Sequence, residues 1–368
     1  MRKTLNKISS ENKQIGKPRK WKSPTQDDWN QLFKEALRFR KLQSWQYMDN
    51  EDFFGIEDPV SGELLFCSVM GSAEEYYGLA AYFGFDGLHT LMRSSVEDLS
   101  QNDEEIYKMH NIICTFEAWN DLLIEEQIQA EKYDPKLKED PMCPGFISYE
   151  PGYIPFSLSQ TECRLMTTIL QQVTTISRNV AKDPSYLVPP KEGQILLRRV
   201  NSISKTGAPV WRNTWVYPPP FVPNFVFMHL DQAEVRKRLA SYPIHEEMQW
   251  EVEFKHMPFV VEEGFKPYYP KMVFIADHQT GYVLEPIVCN DHESPESKIL
   301  NHLIQLLDQY QVRPSALYAR TPETLNLFSM LCTELGIRLV QSQDLAILDE
   351  VVKLLLKNYP RQKSDTIH

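Results

Sequence analysis

The sequence predicts an α+β amino-terminal region followed by a carboxy-terminal α/β domain. Three observations lead to this fold class. The chain has 368 residues, which is more than a single hydrophobic core usually supports, so two or three domains are expected. Runs of β-prone residues broken by proline and glycine fill residues 53–83. From residue 272 to residue 357, strand-like and helix-like runs alternate, which is typical of parallel strands joined by helices.

The amino-terminal elements begin with a helix and continue into a sheet. Thr25 and Asp28 have the spacing of a capping box, and apolar residues then recur at helical spacing from Trp29 to Leu37. Two β-prone runs on either side of a Pro- and Gly-containing turn predict a hairpin, and a third run extends the sheet. The predicted strands are 53–56, 64–70 and 76–83, and a helix is expected over 86–92.

The middle of the chain contains a second capping box and a further pair of strands. Ser159 and Glu162 precede an apolar stripe long enough for a helix of several turns. The runs 194–200 and 210–216 predict strands, the second with two tryptophans on one face. Three consecutive prolines at 218–220 then force an extended segment, and the domain boundary is placed there.

The carboxy-terminal part predicts a β-hairpin followed by βαβα units. Ser-Pro and Thr-Pro pairs mark two helix starts, and Gly336 marks a helix end. This succession of hairpin, helix, strand, helix, strand and helix looks like the order in ribonuclease-H-like nucleases. The expected strands are 272–276, 282–289, 316–319 and 337–340, and the expected helices begin near residues 295, 322 and 345.

Charge and composition divide the chain into segments. The first 22 residues contain eight Lys or Arg and one acid, and they have too few apolar residues to form a core. Their net charge is therefore +7, and the net charge of the remaining chain is −18, which together give −11. We expect a disordered basic tail at 1–24, an α+β domain at 25–217, a Pro-rich linker at 218–228, an α/β domain at 229–358 and a tail at 359–368.

Composition also restricts the compartment and the partners. No secretory signal and no apolar run long enough for a membrane span occurs, so no membrane partner is expected. The six cysteines have no regular spacing and are expected to be reduced thiols, which favours the cytoplasm. An acidic chain does not attract nucleic acid as a whole. Nucleic acid is expected only through the tail 1–22, and a protein is the expected partner.

Loose motifs in both halves carry a resemblance to a known family. They are Trp45, 53–59, 69–71 and 77–79 in the first part, and 313–314, 318–320 and 344–345 in the second. Through them the chain resembles a family of uncharacterised bacterial two-domain proteins, whose two parts are each known as domains of unknown function. The resemblance covers most of residues 25–357. It implies a bacterial cytoplasmic protein, and it implies no activity, cofactor or catalytic residue.

A carboxylate cluster is one candidate for chemistry. Asp277 follows the apolar strand 272–276 and precedes a tight turn, so it could be the first ligand of a two-metal site. Its candidate partners are Glu285, Glu296, Asp344 and Asp349. Arg320, however, ends the next strand where such nucleases need a carboxylate. The preferred interpretation makes Asp277 a turn residue and Asp344 a helix cap.

Three histidines fall near the same hairpin. His278, His292 and His302 stand close in sequence to Asp277 and Asp291, and a neutral imidazole is a good metal ligand. They do not have the i, i+4 spacing of ligands on one helix. Surface histidines without a metal are therefore the preferred interpretation.

Aromatic residues form a further candidate site. A ligand groove in the first domain could be lined by Trp29, Trp45, Tyr47, Phe53 and Phe54. The alternative, which we prefer, is the edge of an aromatic core beside an acidic loop. Tyr217 before the three prolines, and Tyr268-Tyr269-Pro270, could be recognised by a proline-binding domain, although such residues more often brace a loop.

Known catalytic motifs are missing from the sequence. It has no nucleophile elbow, no phosphate-binding glycine loop and no H-E-x-x-H pair. The preferred function is therefore a non-enzymatic binding or protein-interaction protein without a cofactor. The alternative is a divergent metal-dependent nuclease or phosphoryl-transfer enzyme, which would use Mg or Mn at a carboxylate cluster around Asp277.

Overall fold

The computed structural model describes residues 21–72, 76–94, 103–223, 225–263, 265–284, 286–289 and 295–358. The tail 359–368 and most of the basic tail 1–24 lie outside these residues. Contacts divide the chain into two compact units. The first unit consists of Met1–Gly84, Ile112–Ser148 and Ser157–Tyr217, and the second of Phe85–Asn111, Tyr149–Phe156 and Pro218–His368.

In its described residues, the first unit contains a mixed sheet and three helices longer than two turns. Its strands are β1 (Phe54–Glu57), β2 (Leu64–Met70), β3 (Tyr77–Phe83), β4 (Asn111–Glu117), β5 (Cys143–Tyr149), β6 (Ile195–Ile203) and β7 (Pro209–Val216). The sheet order is β5-β4-β3-β2-β1-β6-β7. β1 pairs antiparallel with β2 and parallel with β6, so the predicted hairpin and its third strand are confirmed.

Two capping boxes start the principal helices of the first unit. The helices are α1 (Gln26–Arg40), α4 (Ile124–Tyr133) and α5 (Gln160–Lys182), because α2 (Gly84–Ser94) and α3 (Asp103–Ile106) fall mainly in the second unit. Thr25 caps α1 and Ser159 caps α5 through reciprocal side-chain and backbone hydrogen bonds, as predicted. Both helices place their apolar stripes in one core with alternate residues of the strands.

The second unit contains a five-stranded sheet between two layers of helices. Its strands are β8 (Ile244–His256), β9 (Lys271–Asp277), β10 (Ile287–Cys289), β11 (Arg313–Ala319) and β12 (Arg338–Gln341). Its helices are α6 (Ala233–Ser241), α7 (Pro295–Tyr310), α8 (Pro322–Leu335) and α9 (Ala346–Asn358), besides α2 and α3. Leu239, Leu303 and Phe328 of α6, α7 and α8 share one core, and Leu348 of α9 belongs to another.

The strand order confirms a hairpin followed by βαβα units and adds one strand. The order is β10-β9-β8-β11-β12, with β8, β9 and β10 antiparallel and β11 and β12 parallel to β8. The prediction from sequence began this sheet at residue 272 and omitted β8, its central strand. The predicted strand 282–289 is also shorter than expected, with only Ile287–Cys289 in the sheet.

The described residues thus form a mixed α/β fold with two mixed sheets, which confirms the predicted fold class. Gly336 ends α8 in the left-handed conformation at φ 64°, and Thr321 caps the start of the same helix. These local signals placed α8 between β11 and β12, which makes the two parallel strands neighbours. The unpredicted strand β8 lies between β11 and β9, the strand that ends at the candidate residue Asp277.

Candidate functional site

Strand β8 places two carboxylates inside the second unit. Its side chains alternate, with Trp250, Val252 and Phe254 in the core beside α7 and α8. Glu251 and Glu253 point to the opposite face, where 0% and 2% of their surfaces are exposed. Buried carboxylates need hydrogen bonds or opposite charges, so their surroundings define the first candidate site.

Glu251 is held by a histidine and by the backbone of α9. Nδ1 of His278 lies 2.7 Å from Oε1 of Glu251, and the amide of Leu348 donates to Oε2 at 3.1 Å. The imidazole stacks on the ring of Tyr318 at 5.2 Å. The backbone amide of His278 also donates to the carbonyl of Gln249 at 2.7 Å. The imidazole is therefore held by the Glu251 carboxylate and the Tyr318 ring, and the backbone of His278 is held by Gln249.

Glu253 lies between two cations. Its Oε1 is 3.6 Å from Nη1 of Arg320, and its Oε2 is 3.1 Å from Nζ of Lys255. Nη2 of Arg320 donates to Oδ1 of Asp349 at 2.7 Å. Two cations and a histidine thus face three carboxylates. We call this group the charge network, and its members are Glu251, Glu253, Lys255, His278, Arg320 and Asp349.

The predicted first metal ligand lies one strand away from this network. Asp277 ends β9, the second strand of the antiparallel set, and Oδ1 of its side chain closes the following turn. That oxygen accepts hydrogen bonds from the amides of Gln279 and Thr280 at 3.2 and 2.8 Å and from the Thr280 hydroxyl at 2.7 Å. This is the geometry of an aspartate that stabilises a turn.

The other predicted ligands lie apart in the second unit. Glu296 lies in the first turn of α7, and Asp344 lies in the loop before α9, where its amide donates to the Ser342 hydroxyl. Asp349 is paired with Arg320, and Glu285 lies outside the described residues. Among the residues that the structure describes, no group of three His, Cys, Asp or Glu is arranged to hold a metal ion.

The three candidate histidines are likewise separated. His278 belongs to the charge network, while His302 is on α7 with a buried Nε2 that has no hydrogen-bond partner in the described part of the chain. His292 and Asp291 lie outside the described residues. Glu251 and Glu253 were not among the predicted site residues. The available signal was the alternation of Glu251, Glu253 and Lys255 with three apolar residues, a period of two.

Most of the predicted aromatic groove is core. Trp29, Trp45 and Phe54 are buried in the first unit, whereas Phe53 is partly exposed and Tyr47 is exposed. Trp45 packs edge-on against Phe39 with 6.2 Å between ring centroids. The three buried rings therefore belong to the hydrophobic core of the first unit.

One side of Trp45 also borders an open cavity of about 330 Å³. The cavity is lined by Arg40, Lys41, Gln43, Trp45, Asp140, Pro141 and Met142. Its main cation is already engaged, because Nη1 of Arg40 donates to Oδ2 of Asp140 at 2.8 Å and to the carbonyl of Met142. The cavity is therefore a poor candidate for a catalytic site.

The six cysteines contribute no nucleophile. All are free thiols and buried. Burial raises the pKa of Cys143, Cys163 and Cys332 to about 12. Because the thiolate is the reactive form, these three groups are inert at neutral pH.

A Pro-rich segment exposes apolar side chains in the second unit. Residues 218–227 contain four prolines and no charged residue. Phe221 and Val222 are 51% and 73% exposed, and Val226 and Phe227 are exposed as well. The ring of Phe221 contacts His89 of α2 with 5.0 Å between centroids. Clustered exposed apolar side chains of this kind are characteristic of an interaction site.

Two family models match the chain. Residues 29–198 match the model described as Domain of unknown function (DUF7309), and residues 235–356 match the one described as Domain of unknown function (DUF6930). Together the two models cover most of the chain. No curated protein matches it. Among the described residues, the helices are too short or too polar to cross a membrane.

Solved structures give only weak likenesses. A chain from the simian T-cell lymphotropic virus intasome in complex with PP2A regulatory subunit B56 gamma is 18% identical, with a TM-score of 0.23. The match covers 31% of this chain and 41% of that one. The catalytic core domain of BIV integrase is 15% identical, with coverages of 30% and 65% and a TM-score of 0.21.

The HTLV-2 integrase catalytic core domain in complex with magnesium is 16% identical, with coverages of 31% and 71% and a TM-score of 0.21. All three TM-scores are low, so these likenesses carry no argument about function.

Proposed function

We propose that this protein is a non-enzymatic binding protein that recognises a partner protein through residues 218–227. The observation that carries the proposal is the exposure of Phe221 and Val222 in a segment without charge. Exposed apolar area that is later covered by a partner contributes favourable free energy of about 25 cal/mol per Å². Association with a partner would therefore bury apolar surface of the segment that folding leaves exposed, and this burial would favour binding.

The prolines define the kind of partner. Three consecutive prolines favour the extended polyproline conformation, whose low entropy reduces the ordering cost of binding. Domains that recognise this conformation use grooves lined with aromatic rings. Phe221 and Val222 follow the prolines directly and would fill apolar pockets beside such a groove. The expected partner is accordingly a protein domain with an aromatic groove.

The charge network supports binding over catalysis. A two-metal enzyme needs carboxylates that are free to coordinate ions. Arg320, Lys255 and His278 instead face the buried carboxylates, and α9 lies over Glu251. We place the protein in the cytoplasm because its six cysteines are free thiols.

The binding function is tested by site-specific photo-crosslinking in cells of the source organism. A photoreactive phenylalanine analogue replaces Val222 in the full chain, and the matched control carries it at Val60, which is 93% exposed in the first unit. We expect a discrete crosslinked band at position 222 that is absent at position 60. The combined substitution of Phe221→Ser and Phe227→Ser should weaken the affinity for the recombinant partner at least tenfold.

The nuclease alternative is tested in the same preparation. Thermal unfolding is measured with Mg²⁺ and Mn²⁺ up to millimolar concentrations, for the natural chain and for Asp277→Asn, together with cleavage of single- and double-stranded DNA. A metal that binds only the native state raises the melting temperature. We expect no shift and no cleavage. A shift that Asp277→Asn abolishes, with cleavage, would contradict the binding proposal.

A further inference from the structure

The hairpin of β6 and β7 concentrates positive charge in an acidic chain. Residues 195–216 contain Arg198, Arg199, Lys205 and Arg212 and no acid, although the chain as a whole has a net charge of −11. β7 is the edge strand of the seven-stranded sheet, and the turn residues 205–208 are exposed. The cations therefore stand on an accessible edge of the first unit.

Two arginines oppose each other on one face of this hairpin. Arg199 and Arg212 are direct cross-strand partners in the β6–β7 register. Like charges in this position destabilise a sheet unless an anion compensates them. Glu57 compensates Arg199, with Nη2 3.4 Å from Oε1. In the described part of the chain, Arg212 has no ion pair.

The opposite face combines a cation with tryptophan rings. The guanidinium of Arg198 lies 5.8 Å from the ring centroid of Trp211, and its Nε donates to Oε1 of Gln172 at 2.7 Å. Trp215 lies opposite Leu196 in the register and shares the face of Trp211, and both indoles are half-buried against the core. Each ring is thus fixed on one side and partly accessible on the other.

We infer that the β6–β7 hairpin binds single-stranded nucleic acid. Arg212 and Lys205 would contact phosphates, and the accessible parts of Trp211 and the exposed Ile203 would contact bases. Because β7 is an edge strand, a strand of nucleic acid that follows this edge can reach both faces of it. Cations and aromatic rings together favour a nucleic acid over an acidic peptide, because bases stack on aromatic rings and acidic side chains do not.

The length of the basic edge suits a short stretch of nucleic acid. Arg212 lies three residues from Pro209, where β7 begins, a distance of about 10 Å at 3.3 Å per residue. Lys205 lies in the turn beyond this strand end. Such an edge has room for a few nucleotides, which is the lower end of the site sizes of single-strand-binding domains.

This site is distinct from the basic tail and from the Pro-rich segment. The sequence-based prediction allowed nucleic acid only through residues 1–22, whereas the hairpin belongs to the folded first unit. Its residues are also separate from 218–227, so the inference does not depend on the proposed protein partner. The experiment must therefore distinguish the hairpin from the tail.

Fluorescence anisotropy with labelled 20-nucleotide oligo-dT and oligo-rU tests the inference on the full chain. We expect Lys205→Glu with Arg212→Glu to weaken binding at least tenfold. Losing two phosphate contacts should also reduce the slope of log affinity against log salt by about 1.4, since each contact contributes about 0.7 for a single strand. The matched control, Lys136→Glu with Lys138→Glu, changes two exposed lysines elsewhere in the first unit and should alter affinity less than twofold.

Two further experiments test whether the basic tail, or attraction to any polyanion, accounts for the binding. In one, glutamine replaces the eight cations of residues 1–22 in the full chain, and we expect affinity to remain within threefold. In the other, a 20-residue polyglutamate competes with the labelled oligonucleotide, and we expect it to compete at least tenfold less well than unlabelled oligo-dT. Equal competition by polyglutamate, loss of binding only in the tail variant, or no binding at 50 mM salt would each overturn the inference.

Discussion

Nδ1 of His278 lies 2.7 Å from Oε1 of Glu251, a carboxylate with no exposed surface. The pair joins the end of β9 to the central strand β8, and the second oxygen of Glu251 accepts the amide of Leu348 from α9. Three elements of the second unit therefore meet at one side chain. A buried carboxylate with these partners stabilises the fold by holding them together, and it is not free to bind a metal.

The first prediction concerns this junction. Glu251→Ala leaves the amide of Leu348 without its acceptor and opens a cavity beneath α9, so the free energy of unfolding should fall by about 3 kcal/mol. The matched control is Glu247→Ala, on the same strand but exposed, which should change it by less than about 0.5 kcal/mol. Urea unfolding followed by circular dichroism measures both. Equal effects of the two substitutions would contradict the assigned role.

The second prediction concerns the pH dependence of the first unit. Burial raises the pKa of Glu126 to about 7, although hydrogen bonds from the amides of Phe146 and Leu123 act in the opposite direction. Between its ordinary pKa of 4.5 and pH 7 the folded state therefore keeps a proton that the unfolded state has lost. The free energy of unfolding should fall as the pH rises across this interval, by on the order of 3 kcal/mol.

Glu126→Gln removes that titration. Its stability should be nearly independent of pH in the same interval, while Glu131→Gln, an exposed residue of the same helix, should keep the wild-type profile. Tryptophan fluorescence is a suitable measurement, because six of the seven tryptophans belong to the first unit. A wild-type profile in the Glu126→Gln protein would show that another group controls the pH dependence.

The third prediction concerns the close approach of two strands. A Cβ atom at Gly78 of β3 would lie 2.2 Å from the backbone carbonyl oxygen of Cys114 on β4, and a backbone atom cannot move aside as a side chain can. Gly78→Ala should therefore destabilise the first unit by about 3 kcal/mol. Gly62→Ala is the control, since its site is open and only its φ of 77° resists alanine. It should cost about 1 kcal/mol. Urea unfolding followed by tryptophan fluorescence measures both, and a smaller loss at Gly78 than at Gly62 would contradict the close approach.

Local signals made much of the fold predictable. The capping boxes at Thr25 and Ser159, the Thr-Pro start at Thr321 and the glycine stop at Gly336 each act within one helical turn, and each has the predicted geometry. The strands β1, β2 and β3 could also be predicted, because the apolar residues that the sheet buries form short runs in the sequence. Such signals need no knowledge of distant residues.

The candidate site was not predictable in the same way. The alternation of Glu251 and Glu253 with apolar residues indicates a strand whose polar side faces solvent, whereas both carboxylates of β8 are buried. Their burial depends on Arg320, a partner far along the chain. Asp277 was singled out for its position after an apolar strand, but the amides of its own turn already use its side chain. The spacing of residues in the sequence does not show which carboxylates already have hydrogen-bond or ion-pair partners.

The last prediction concerns the junction of α1 and α5. Burial alone would raise the pKa of Asp28, but hydrogen bonds from Gln160, Arg164 and Thr25 hold it well below its ordinary value of 3.8. An acid whose pKa is lowered by folding stabilises the folded state at pH values above its unfolded-state pKa. This contribution is lost as the pH falls through the folded-state pKa. Asp28→Asn should therefore lower the free energy of unfolding by about 2 kcal/mol at pH 7.

The difference between Asp28→Asn and the natural chain should shrink as the pH falls below about 4, because the unfolded and then the folded carboxyl group is protonated. Asp27→Asn is the matched control, because this neighbour is exposed and accepts a hydrogen bond from Gln31 on the same helix, at 3.2 Å. It should change stability by less than about 0.5 kcal/mol at either pH. Urea titrations at about pH 7 and about pH 3 test both, and a pH-independent loss in Asp28→Asn would mean that the charge of Asp28 is not what joins the two helices.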